Sequence, residues 1–190
     1  AYNRYNRWSQ RGIWQRLFAK IAATGTLPNE LMLAASHVKA HRSARAEKGG
    51  EEPSDWSLAR RQDNENPALT DAQCRPIAFL LTGGQVADCT AAPELLQQLP
   101  DCEILHGDKG YDANAIRQQV SDRGAMPNIP PKANRRWKNC FSPFLYRKRN
   151  AIERMFCRFK DWRRVATRFE KTARNYLAVV TLAAIVLWLR

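Results

Sequence analysis

Hydrophobic positions recur every four residues near the start of the chain, at Ile13, Leu17 and Ile21, with Trp14 and Phe18 beside them. That spacing collects them on one face and predicts a helical segment over residues 1–24. Gly25 and Pro28 stop it. The short apolar run at residues 31–35 reads as a strand, and the chain then turns polar and poorly patterned over residues 41–67. Residues 77–82, Ile-Ala-Phe-Leu-Leu-Thr, read as a buried strand closed by Gly83 and Gly84. A helix is expected around residues 92–99, ended by Pro100, and a strand over residues 102–105. Asp112 can cap a helix that runs to Asp122 and ends at Gly124. A strand over residues 125–129 follows, stopped by Pro130 and Pro131. Alternating strands and helices point to an α/β domain with at least one parallel pairing.

Beyond a loop at residues 130–146, the best-patterned helix is expected over residues 150–169. Ile152, Met155, Phe156 and Phe159 give it a core-facing stripe. Arg149, Glu153 and Lys160 fall on an adjoining stripe, because their offsets nearly complete whole helical turns. The apolar run at residues 176–189 is shorter than the roughly 20 residues a membrane span needs, so it reads as a buried helix.

Charge changes this picture of an ordinary globular domain. The chain carries 31 Lys and Arg against 18 Asp and Glu, a net charge of +13, which favours a polyanionic partner such as nucleic acid. Most of the surplus is concentrated: residues 130–174 hold 15 basic side chains and only three acids, Glu153, Asp161 and Glu170. A second basic cluster (Arg4, Arg7, Arg11, Arg16, Lys20) lies in the first 20 residues, with no acid. Aromatic residues interleave with both clusters, a combination suited to phosphate contact and base stacking. The five cysteines are widely spaced and show no metal-ligand spacing with the three histidines. With no signal-peptide pattern, the expectation is a reduced, cytoplasmic compartment.

Two acids stand out by context. Asp108 follows an expected strand, in a turn flanked by Gly107 and Gly110. Glu153 is the only acid across residues 131–160. Taken alone, Glu153 reads better as half of an exposed ion pair within its helix, worth only tenths of a kcal/mol. Its neighbours change that reading. Tyr146, Arg149, Glu153 and Lys160 fit the spacing Y-x2-R-x3-E-x6-K. Further segments read H-V-K-A-H-R (residues 37–42), L-L-T-G-G-Q-V-A-D (80–88), H-G-D-K-G-Y-D (106–112), P-P-K-A-N-R-R-W-K (130–138) and R-N-A-I-E-R-M-F (149–156).

With these motifs the chain resembles the catalytic domain of bacterial insertion-sequence transposases of the DDE type. The resemblance implies a ribonuclease H-like core, a mixed β-sheet flanked by helices, over residues 29–190. Residues 1–28 would be a basic helical remnant of a longer N-terminal region. It also implies metal-dependent DNA cleavage and strand transfer at transposon ends, with three carboxylates holding two Mg2+ ions. Asp108 and Glu153 would be two of those catalytic metal ligands. Tyr146, Arg149 and Lys160 would position phosphate near the cut. Lys132, Arg135, Arg136 and Trp137 would hold transposon-end DNA, and two copies would pair in a synaptic complex.

Two departures qualify the resemblance. Relatives carry the first Asp in a segment like I-D-S-T-H-V-K-A-H, whereas this chain has Ala34 at that position and no acid from Leu31 to Arg45. A methyl group cannot bind a cation, so a catalytically defective copy is expected. Residues 55–67 also read unlike the family's I-G-R-S-R-G-G-R-T-T-K-I-H, yet one nucleotide run read a single base out of register encodes both strings. We read this as a pair of compensating frameshifts. The resulting polar segment, with Pro67 near its end, argues against a central strand there. The alternative to a decayed enzyme is a non-catalytic DNA-binding or dimerising protein that interferes with an active transposase.

Overall fold

The computed structural model describes residues 2–25, 28–44, 64–83 and 88–189. At its centre is β1, Glu30–Ala40, which outlasts the apolar run at residues 31–35 because Val38 continues the inward alternation. β1 pairs antiparallel with β2, Asn64–Asp71, and parallel with β5, Ile104–Gly107. β3 (Pro76–Phe79) lies outside β2, and β6 (Met126–Asn128) lies outside β5 in parallel, giving the order β3-β2-β1-β5-β6. β4 (Thr82–Gly83) adds a short pair to β2, and β7 (Thr167–Arg168) adds one to β1.

Helices cover both faces. Leu31 and Leu33 of β1, with Leu105 of β5, pack against α3 (Asp88–Gln97) and α4 (Asn114–Asp122) through Leu95, Leu96, Ile116 and Val120. On the opposite face, Met32, Ala34 and Val38 meet α6 (Asn150–Lys160) and α8 (Ala173–Trp188). The expected stripe of Ile152, Met155, Phe156 and Phe159 is buried there. Among the described residues, no helix is long and apolar enough to cross a membrane.

Three local departures from the expected elements have physical causes. The first helix is split into α1 (Tyr2–Gln10) and α2 (Ile13–Ala23) at Gly12, whose φ of 61° is a left-handed conformation open to glycine at little cost. The break lets Tyr5 Oη donate to the Asn175 carbonyl (2.6 Å) while Phe18 enters the core beside α8. The helix expected over residues 150–169 ends at Lys160. Trp162 is extended, a short helix α7 (Arg163–Ala166) follows, and Thr167 and Arg168 then pair with Lys39 and Ala40. Strand pairing at β7 overrides helix propensity there.

The third departure is β2, which corrects the expectation that Pro67 and its polar neighbours would not form a central strand. Pro67 sits within β2 opposite Ala35. Its carbonyl accepts from Leu80 N–H (2.9 Å). Its nitrogen faces the same edge, between the end of β3 at Phe79 and the start of β4 at Thr82, so the absent N–H falls at a gap in the ladder. The polar side chains also find partners: Glu65 meets His37 Nε2 (2.8 Å), and Asn66 Nδ2 donates to Tyr176 Oη (3.3 Å). Residues 55–63, which carry most of the frameshifted string, lie outside the described residues.

Candidate active site

Parallel pairing places Gly107 opposite Leu33, and one further step in the same register brings Asp108 level with Ala34 on the face toward α6. Asp108 is extended, and its Oδ1 accepts from Gly110 N–H (2.7 Å), which opens a tight turn over Lys109–Tyr111. Its Oδ2 lies 3.5 Å from Arg149 Nη2, and Arg149 Nη1 lies 2.9 Å from Glu153 Oε1. One guanidinium therefore bridges the two carboxylates. It is largely buried, while Glu153 is 55% exposed.

Tyr146 closes the group. Its ring lies 5.9 Å from the Arg149 guanidinium and stands edge-on to Phe141. It ends the short helix α5 (Pro143–Tyr146), capped by Ser142 Oγ accepting from Leu145 N–H. Burial raises the Tyr146 phenol above its ordinary pKa; Arg149 opposes this, and the nearby charges of Asp108 and Glu153 add to it. At neutral pH Tyr146 is thus a neutral hydrogen-bond donor beside both acids. Lys160 is exposed at the end of α6.

Ala34, the position the resemblance gives to a third acid, lies in the core. Ala34 is 2% exposed and belongs to the apolar cluster that includes Ala68, Ala151, Ile152 and Met155. Glu30 shares its face of β1 but lies four residues back, roughly 13 Å along the strand. That carboxylate is held by Lys148 Nζ (2.5 Å) and His106 Nε2 (3.3 Å). Burial would raise its pKa, but the Lys148 and His106 hydrogen bonds outweigh that and keep it below the usual range. Burial depresses the His106 pKa, partly offset by Glu30. Among the described residues, no cluster of three His, Cys, Asp or Glu side chains could hold a metal ion. Two carboxylates sharing one arginine do not fit the three-carboxylate cradle that the resemblance implies for two divalent ions.

The basic loop divides into an anchored half and an exposed half. The fully buried Asp112 carboxylate accepts from Arg117 Nε (2.8 Å), the Lys132 backbone N–H (2.7 Å) and Arg135 Nε (2.5 Å). It does not cap α4, whose N-cap is Ala113. Burial alone would raise the Asp112 pKa; hydrogen bonds from Lys132, Arg117 and Arg135 bring it below the usual value. Arg135 also donates to Asn114 Oδ1 (2.6 Å), so its guanidinium faces the protein. Arg136, Trp137 and Lys138 are exposed, Trp137 by 82%. Sequence reasoning missed Glu30, His106, Asn128 and Lys148. The alternation of β1, which puts Glu30 on the face of Ala34, could have flagged the first of them.

Residues 67–189 match the family model of the transposase DDE domain. The chain belongs to this family. The DDE domain so matched contains Asp108, Arg149 and Glu153 but begins after Ala34. The chain is 33% identical over 124 residues to the transposase assigned to insertion sequence element IS6501 of Brucella ovis, covering 65% of this chain and 95% of that one. It is 31% identical over 137 residues to the transposase assigned to IS402 of Burkholderia cepacia, covering 66% and 61% respectively. Among solved structures it is similar to the catalytic core of BIV integrase (13% identity, TM-score 0.45, covering 81% of this chain and 82% of that chain). It is also similar to the piggyBac transposase synaptic complex (13% identity, TM-score 0.44, covering 66% and 28%). Membership of the DDE family, with the observed mixed sheet between helical layers, agrees with the expected ribonuclease H-like fold class.

Proposed function

We propose that this chain is a DNA-binding member of the insertion-sequence transposases in which metal-dependent strand cleavage and transfer is disabled at Ala34. The observation that carries this reading is the register of β1 on β5, which sets a buried methyl group level with Asp108. Family chemistry uses divalent ions, Mg2+ by expectation, to activate the attacking oxygen and stabilise the leaving one. The two acids left here are bridged by Arg149 instead.

What this chain's residues support is phosphate recognition. Arg136 and Lys138 offer exposed cations beside the flat Trp137 ring. Arg149 can exchange a carboxylate partner for a phosphate oxygen, and Tyr146 can donate to the same phosphate. The exposed basic loop equally favours the second reading, a non-catalytic protein that occupies DNA ends and pairs with an active transposase. Gel-shift titration against duplex DNA in the presence of chelator tests the proposal. Binding should persist without divalent metal and weaken linearly on a log–log salt plot. Binding that requires a divalent ion, or no binding at all, would contradict it.

A further inference from the structure

We propose that Glu30, His106 and Asn128 form a buried polar ladder that positions the segment carrying Tyr146 and Arg149. The functional half of this inference rests on reading the site as a DNA-binding one. His106 pairs in register with Met32 of β1 on one side and Asn128 of β6 on the other. Strand alternation puts Glu30 on the same face as Met32, so the three polar side chains cross three adjacent strands side by side. His106 is fully buried and Asn128 is 2% exposed, positions where an apolar residue would pack without needing hydrogen-bond partners.

The hydrogen bonds fix the direction of the ladder. Asn128 Oδ1 accepts from Ser142 N–H (2.9 Å), so its Nδ2 is the group that donates to Ser142 O (3.2 Å) and to His106 Nδ1 (3.1 Å). With Nδ1 accepting, the ring hydrogen sits on Nε2 and points at Glu30 Oε2 (3.3 Å). The other oxygen of Glu30 receives Lys148 Nζ. The segment is therefore pinned at Ser142, where α5 begins, and at Lys148, immediately before Arg149. A satisfied buried network of this kind selects one arrangement of what lies above it. Here that arrangement delivers Arg149 to both Asp108 and Glu153 and lays Tyr146 beside it. Glu30, His106 and Asn128 are positioning residues.

The test has two arms on the full chain. In the first, hydrogen exchange is followed in Asn128→Ala and Glu30→Gln. Exchange across residues 142–149 should accelerate by about tenfold, the scale of one lost buried hydrogen bond, while α4 and α8 keep their protection. Unchanged exchange in that segment, or acceleration spread over the whole sheet, would overturn the inference whatever DNA does. The second arm reads DNA affinity in a double-mutant cycle. If Asn128 acts through Arg149, Asn128→Ala should add little to the loss already caused by Arg149→Ala, whereas Lys138→Ala should add its full loss. Full additivity of Asn128→Ala with Arg149→Ala would sink the functional half. No effect of Arg149→Ala on DNA would instead refute the DNA-binding reading and leave the exchange arm to decide positioning.

Discussion

Asp108 and Asp112 stand four residues apart in the same H-G-D-K-G-Y-D motif, and the structure treats them oppositely. Asp112 is fully buried and meets two arginines and a backbone N–H at 2.5–2.8 Å. Asp108 is one-third exposed, and its contact to Arg149 is long at 3.5 Å. The first cluster is saturated from within and serves the fold. The second is left short of partners and faces outward, where a ligand can complete it. The difference teaches that an acid in a family motif is read by what it lacks as much as by what it touches. On the reading proposed above, the open cluster also lacks a third carboxylate, because Ala34 supplies none.

The largest effect should come from the saturated side. Asp112→Ala would strand Arg117 and Arg135 and destabilise the fold by about 3–5 kcal/mol, measurable by urea denaturation. The Asp112 carboxyl titrates below its usual value in the fold. Its contribution should therefore be complete above the unfolded pKa of about 3.9 and be lost as pH falls through the lower folded value. The stability gap between the chain and Asp112→Asn should accordingly shrink only at acid pH. A gap that narrows on the alkaline side would show that Asp112 does not carry that charge.

Ala34→Asp should have an intermediate effect. Without metal, a carboxylate added at a buried position beside Asp108 should cost about 1–3 kcal/mol. Millimolar Mn2+ or Mg2+ should raise the melting temperature of this variant by more than that of the parent chain. Equal metal response in the two would mean that position 34 does not belong to the site. The smallest effects belong to the open acids: Asp108→Asn and Glu153→Gln should each change stability by less than about 1 kcal/mol, since exposed ion pairs contribute little. A larger loss would place them with Asp112 as structural acids.

Much of the frame was legible because its signals are local. The strand before Asp108 and the buried stripe of α6 follow from spacing within single elements, and the neighbourhood of Tyr146, Arg149 and Glu153 from spacing along one short stretch of chain that spans α5 and α6. What escaped depends on partners far away in sequence. Arg135 reads as a DNA contact in its basic loop, yet Asp112 and Asn114 hold its guanidinium. Pro67 reads as a strand breaker, yet the outer ladder has its gap opposite it. Glu30 lies four residues from Ala34 with no motif in the sequence to tie it to the site, yet it holds Lys148 beside Arg149. Gly12 and Trp162 break helices whose periodicity continues through them, because packing on α8 and pairing with β1 decide those turns.

The central claim is that the open cluster, with Ala34 in place of an acid, does not cut DNA. It is tested most directly by incubating the purified chain with the terminal DNA of its own element in Mg2+ or Mn2+ and quantifying nicked and joined strands. Product formation should be no greater than that of Asp108→Ala assayed alongside. Turnover above that control, abolished by chelation, would contradict the account.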